Sequence, residues 1–325
     1  MDKVNVIPAR LTRRDCASKV GEVYDLLGRI TPITASFKLD LHDLTLLKLD
    51  WNDVIPEELH NTWLNNFKIM QDLNSLSFRR CIVPQDAESL EIETIDTADA
   101  SPYLACSAIY ARIKRRNETF SCQLVFARSK ILPDRISQPR AEMIAALLNA
   151  HTGEVVKRAF GPLHKSSIKL SDSQVVLHWV NNDDKPLKQW VRNRVIEVRR
   201  FTILDDWYYV NSKNMIADLG TRRGVSINDV SADSTWVNGF DWMSGNKADF
   251  PITAVKDLKL NQSDLSKVHQ ETYPVPANPE HYLSNFKCVP DEVKDRYSFS
   301  KYVIDPKQFR FSKCSHPCIH VEVCQ

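Results

Sequence analysis

Four acidic residues at the margins of hydrophobic runs constrain this chain more than any other feature of its sequence. Between residues 95 and 223 they come in a fixed order: Asp99 in T-A-D-A-S, Glu142 in Q-P-R-A-E-M, Asp172 in K-L-S-D-S-Q and Asp218 in M-I-A-D-L-G-T-R. A carboxylate at the edge of a core is costly unless positive charge shares its site. Four of them therefore predict a fold that gathers them around divalent metal. All-oxygen donors suit Mg2+ or Mn2+, and no His/Cys pairs near these positions favour zinc.

The elements between the acids predict how they could meet. Residues 90–97 form a β-rich run ending two residues before Asp99, and two more strand-type runs, 105–113 and 120–128, are joined by the polar turn 114–118. Pro139 opens a long helix through about residue 158, with Glu142 near its start and the stripe Met143, Ala146, Leu147 and Ala150 facing a sheet. A short strand at 168–170 delivers Asp172. Helices at 173–181 and 187–201, a strand at 207–210 and the turn carrying Asp218 complete the series. The fold class read from this order is α/β, a ribonuclease H-like mixed sheet with flanking helices.

The flanks read differently. Residues 1–88 are expected to be a small all-α subdomain. One helix spans 18–30 and stops at Pro32, a second spans 35–49, and a third begins at Pro56 with Leu59, Trp63, Phe67 and Met70 on one face. Arg10, Arg13 and Arg14 could contact nucleic acid there, although packing is the simpler role. Residues 226–325 are expected to be an irregular tail, with the proline-bearing stretch 244–300 as linker. The ribonuclease H-like domain is thus bounded at 89–225.

Charge is uneven across these segments. Residues 89–225 carry 21 Lys and Arg against 15 Asp and Glu, whereas each flank carries 11 against 13. A basic surplus around an acidic cluster fits a polyanion lying over a metal site. The chain has no apolar run of membrane-spanning length and no signal-peptide pattern at Met1-Asp2-Lys3, so an intracellular, cytoplasmic address is expected, with no membrane partner. Eight scattered cysteines lack the spacing of a secreted disulfide scaffold and are expected to be reduced.

Longer motifs sharpen the reading. L-T-R-R-D-C-A-S-K-V-G-E-V-Y-D-L-L-G-R-I-T-P (11–32), L-D-W-N-D-V-I-P-E-E-L (49–59), D-A-S (99–101), P-R-A-E (139–142), D-S-Q-V-V-L-H-W (172–179), W-V-R-N-R-V (190–195), N-M-I-A-D-L-G-T-R-R-G (214–224) and W-V-N-G-F-D-W-M (236–243) occur in this order. Together they resemble the Bel/Pao LTR-retrotransposon polyprotein region that joins the end of the reverse transcriptase to its ribonuclease H domain. The resemblance implies that residues 1–88 correspond to a thumb or connection region. It implies a chain without its polymerase palm (no Y-x-D-D signature is present) and without its integrase, and a place in a virus-like particle if the element is active. It also implies metal-dependent hydrolysis of RNA in RNA–DNA hybrids. In that reading Asp99 bridges two Mg2+ or Mn2+ ions, Glu142 and Asp172 complete one ion's shell, and Asp218 holds the other. Cys106 departs from the family pattern, which usually has Gly there, and Pro102-Tyr103 replaces a polar pair.

Phosphate contacts are expected from Lys114, Arg115, Arg116, Arg192, Arg194 and Arg223. Arg194 shares a helix face with Leu187, Val191 and Val198, which points it inward toward a carboxylate or phosphate; the alternative is a packed stem with a solvated head. The competing functional class is a catalytically inactive nucleic-acid-binding relic. Two features suggest other chemistry. Asp96-Thr97-Ala98 resembles the D-T-A loop of a retroviral-type aspartic peptidase, and the run from Cys314 through His316, Cys318 and His320 to Cys324 has residue types suited to zinc without a standard spacing.

Overall fold

The computed structural model describes residues 10–182 and 186–273, together with the backbone of two strands at 309–312 and 320–323. The C-terminal Cys/His run therefore lies outside the residues whose side chains are described.

The first helix, α1 (Arg13–Glu22), starts earlier than periodicity suggests because Thr12 and Asp15 form a reciprocal capping box. It also ends earlier. The expected helix over 18–30 is replaced after Glu22 by a turn in which Gly28 takes φ 73° and presses on the backbone of Ala127. A Cβ at Gly28 would collide with the Ala127 carbonyl, so only glycine lets the two backbones meet. Pro32 does not stop a helix; it lies in the first turn of α2 (Thr31–Leu46), where its missing N–H costs nothing. Then α3 (Glu57–Asp72) follows Pro56 and buries Trp63 and Phe67 in a small core with Leu11, Cys16, Leu44 and Ile55.

A six-stranded mixed sheet forms the centre. Its strands are β1 (Ala87–Ala100), β2 (Leu104–Arg115), β3 (Phe120–Ile131), β4 (His164–Ser171), β5 (Trp207–Val210) and β6 (Ile252–Ala254), in the spatial order β3-β2-β1-β4-β5-β6. The first three make the expected antiparallel meander, β4 lies parallel to β1, and β5 lies parallel to β4. The helix α4 (Gln138–Phe160) supplies the crossover from β3 to β4, and α5 (Gln174–Asn181) with α6 (Gln189–Phe201) connects β4 to β5. This is a ribonuclease H-like mixed sheet with flanking helices.

The two faces of the sheet bury different parts of the chain. Against one face pack α4, α5 and α6, with Met143, Ala146, Ala150, Val191 and Val198 inside. The other face is covered by Ile30, Ile33 and Phe37 from the amino-terminal helices and by Trp236, Val237 and Met243 from beyond the last predicted strand. Trp236 is fully buried; its indole N–H donates to the Arg29 carbonyl, and its own carbonyl accepts from the Tyr110 hydroxyl at 2.7 Å. Removing an aromatic of this kind typically costs about 3–5 kcal/mol.

Residues 244–273 are therefore not linker. They contribute β6, which pairs antiparallel with β5, and α8 (Gln262–Gln270), which follows the one-turn α7 (Thr235–Asn238) and sinks Val268 against the α5–α6 side. The backbones of Leu187 and Thr272 then form an isolated bridge. Two further strands, β7 (Phe309–Ser312) and β8 (His320–Val323), pair antiparallel with each other. Among the described residues no helix is long and apolar enough to cross a membrane, and Cys16, Cys81, Cys106 and Cys122 are free thiols.

Candidate metal and nuclease centre

Strand direction explains where the acids meet. Because β1, β4 and β5 are parallel, their carboxyl ends share one rim of the sheet, the usual place for a site in an open α/β sheet. Asp99 is the penultimate residue of β1, and Asp172 directly follows β4. After β5 a short 3-10 turn brings Ser212 to the same rim, and a second 3-10 segment, Ile216–Thr221, carries Asp218. The helix α4 begins beside it, where Gln138 donates from Nε2 to the Ala100 carbonyl at 2.7 Å and holds Glu142 one turn further along.

An open cavity of about 380 Å³ lies at this rim. Asp99, Asp172 and Asp218 line it with the hydroxyls of Ser101, Ser212 and Thr221, and Lys213 and Arg222 supply positive charge. Each acid is oriented by a neighbour. The Ser212 hydroxyl donates to Asp172 at 2.7 Å, and Ser173, the N-cap of α5, donates to Glu142, which also accepts from Gln138 at 3.2 Å. The Thr221 hydroxyl stands 2.8 Å from the Asp99 carboxylate and 3.0 Å from the Asp218 carbonyl, and can donate to one of them at a time. Asp218 itself pairs with Arg222.

The electrostatics are those of crowded, partly dehydrated carboxylates. Burial raises Asp99 to about 6, with a further push from Asp172 and Asp218 that outweighs help from Thr221. Burial also raises Glu142 to about 7 against the hydrogen bonds from Ser173 and Gln138, and Asp172 and Asp99 add to the rise. Asp172 is raised as well, first by burial and then by Asp218. These mutual influences place all four acids in one electrostatic neighbourhood. Their donor set, all oxygen, fits Mg2+ or Mn2+. As oriented by their protein donors, however, no three His, Cys, Asp or Glu side chains among the described residues stand together as a ready-made metal cage.

The predicted cationic residues fare differently. Lys114, Arg115 and Arg116 sit at the β2–β3 turn, level with the start of β1, whereas Asp99 lies twelve residues along that strand, about 40 Å at 3.3 Å per residue. Lys114 pairs with Glu88 and Glu118, and Arg115 with Asp86. Arg192 is exposed on α6. Among the described residues Arg194 makes no inward ion pair: its guanidinium lies 3.6 Å from the centre of the Trp190 ring and donates to the Trp190 carbonyl, since the residue four places earlier offers a flat apolar surface. Arg223 is engaged by Asp40 and Asp43 of α2.

The peptidase reading fails on burial. Asp96 is fully buried in mid-strand and paired with Lys169 of β4 at 2.5 Å, so no peptide could reach it. Cys106, by contrast, is accommodated. Its thiol is buried under the 3-10 segment, where a Cβ on Gly220 would collide with its sulfur, so the glycine missing on the strand is matched by one opposite. Sequence reasoning did not single out Ser173, Ser212, Lys213, Thr221 or Arg222. A retrievable signal existed for Ser173, since D-S-Q before an apolar helix marks an N-cap.

Comparison with known proteins points to the same family as the motifs. A family model described as Pao retrotransposon-like RNaseH-like domain matches residues 12–173. No curated protein matches. Among solved structures, the N-terminal RNase H domain of a Mycobacterium tuberculosis protein, solved as a fusion with maltose binding protein, is 10% identical, with 38% of this chain and 86% of that chain covered and a TM-score of 0.27. RNase H1 from the halophilic archaeon Halobacterium salinarum is 13% identical, with 39% and 90% covered and a TM-score of 0.27. A foamy viral protease–reverse transcriptase in complex with double-stranded DNA is 12% identical, with 64% of this chain but 33% of that chain covered and a TM-score of 0.37.

Proposed function

Residues 12–173 form a Pao retrotransposon-like RNaseH-like domain, and from that premise we propose that the chain hydrolyses RNA in RNA–DNA hybrids with divalent metal. The observation that supports this most is that Asp99, Asp172 and Asp218, from three separate elements, line one cavity at the sheet rim, with Glu142 of α4 held by Ser173 beside Asp172. Two bound Mg2+ or Mn2+ ions would supply Lewis-acid charge for the attacking water and the leaving 3′-oxygen.

The chain's own residues supply the rest. Asp99, Asp172 and Asp218 would hold the ions from within the cavity, with Glu142 reaching in from α4. The hydroxyls of Ser173, Ser212 and Thr221 keep the carboxylates pointed at the rim. Lys213 and Arg222, on the cavity wall, are placed to meet phosphate oxygens as point charge and fork respectively. Because Asp99 and Glu142 ionise only at about pH 6 and about pH 7, cation binding should strengthen as pH rises through that range.

The test is digestion of an end-labelled RNA–DNA hybrid by the full chain in Mg2+ or Mn2+, with Asp99→Asn as control. Cleavage that falls at least a hundredfold in the control is expected. Salt-sensitive binding with no cleavage in either metal would instead identify a nucleic-acid-binding relic.

A further inference from the structure

The segment carrying Asp218 is anchored outside the sheet. Arg223, five residues beyond Asp218, reaches α2 and grips two of its acids: one guanidinium nitrogen pairs with Asp40 and another with Asp43 at 2.7 Å. Asp40 is itself fixed from the next helix, where the buried Asn66 of α3 donates to its other oxygen at 2.8 Å. At the same end of the segment, two and three residues before Arg223, Thr221 contacts Asp99 and Gly220 closes on Cys106. Polar contacts thus run from α3 through α2 to Arg223, and two residues of backbone join Arg223 to Thr221 at the carboxylate rim.

This arrangement differs from a surface ion pair. Surface pairs are generally worth little because both side chains lose freedom for a screened attraction. Here Arg223 and Asp43 are half exposed, but Asp40 has only 12% of its side chain exposed, and the fork joins residues 183 positions apart. The 3-10 segment Ile216–Thr221 that precedes Arg223 has no strand pairing to fix it. Its position depends on these end contacts and on Ile216 and Ala217 packing into the core shared with Ile33 and Phe37.

We propose that Arg223 is a positioning residue for the metal centre: by holding Asp40 and Asp43 it fixes the segment bearing Asp218, and so makes the amino-terminal helices part of the cation-binding apparatus. The proposal rests on the nuclease reading given above. Arg223 acts through Asp218 and Thr221, and touches neither ion nor substrate.

The experiment is Mn2+ titration of the full chain followed by electron paramagnetic resonance, which reads cation binding without turnover. Wild type and Asp99→Asn establish that the centre is being observed. Arg223→Met should bind Mn2+ about tenfold more weakly, Arg223→Lys should recover part of the loss, and Asp43→Asn, which keeps the Asp40 contact, should fall between. Unchanged Mn2+ affinity in folded Arg223→Met overturns the proposal, whether or not its thermal midpoint drops. A loss confined to hybrid affinity also overturns it and returns Arg223 to phosphate contact. Should wild type bind Mn2+ no better than Asp99→Asn, the nuclease reading itself fails, a result distinct from either.

Discussion

Asp96 and Asp99 lie three residues apart on β1 and have opposite fates. Alternation along the strand sends Asp96 to the face of α4, where it is fully buried with the Lys169 ammonium at 2.5 Å, beneath Gly153. A Cβ on Gly153 would stand 2.6 Å from the Asp96 carboxylate, so the helix is cut away to admit the pair. Asp99 points to the other face and the rim, among Asp172, Asp218 and Glu142. A carboxylate supplied with its own lysine has its charge answered within the fold, even though the second oxygen of Asp96 is buried without a hydrogen-bond partner. One placed among other carboxylates carries a cost that an added cation would remove, and that cost marks the candidate site.

The comparison breaks most visibly at Lys169. Replacing it by Met leaves the Asp96 carboxylate buried and alone, which should destabilise the fold by about 3–5 kcal/mol in urea unfolding. A loss below about 1 kcal/mol would mean the pair contributes nothing and that the contrast with Asp99 is empty.

The opposite sign is expected at Asp99. Its folded value of about 6 lies above the ordinary 3.8, so between roughly pH 4 and pH 6 the native state keeps a proton that the unfolded chain has released. Stability contributed by that proton is present below pH 4 and is lost as pH rises through 6. Glu142, raised from 4.5 to about 7, extends the decline upward. In EDTA the protein should therefore weaken from pH 4 to pH 8. Asp99→Asn should match wild type near pH 4 and exceed it by about 2 kcal/mol at pH 8, while abolishing cleavage. Equal unfolding midpoints at pH 8 would show that the acids do not burden the fold.

Much of this contrast was legible beforehand, for a physical reason. The meander, the long helix and the strand Trp207–Val210 carry strong local patterns; Asp99 and Asp172 close strands, and Glu142 and Asp218 lie near the starts of their helical segments. What escaped depends on distant partners. The three-residue β6 exists because β5 has a free edge, and α8 buries fully only Val268. The turn at 23–30 follows from Gly28 meeting Ala127 nearly a hundred residues away, and Tyr24, placed by periodicity in a helix face, is 84% exposed. Arg194 had the right helix face and the wrong partner, because an adjacent tryptophan satisfied it locally.

The smallest effect separates what the protein does for Asp99 from what it leaves undone. The Thr221 hydroxyl is the side-chain donor that favours the charged form of Asp99, against burial and two neighbouring acids. Thr221→Val keeps the shape and removes the donor, so the protonated form of Asp99 should gain further and its titration should move upward. The unfolding profile in EDTA should shift to higher pH, with at most about 1 kcal/mol lost at pH 8. Among the described residues no hydroxyl contacts Asp96, whose charge is answered by Lys169. An unmoved profile would mean that Thr221 donates to the Asp218 carbonyl, its other acceptor, and that Asp99 stands at the rim with still less help.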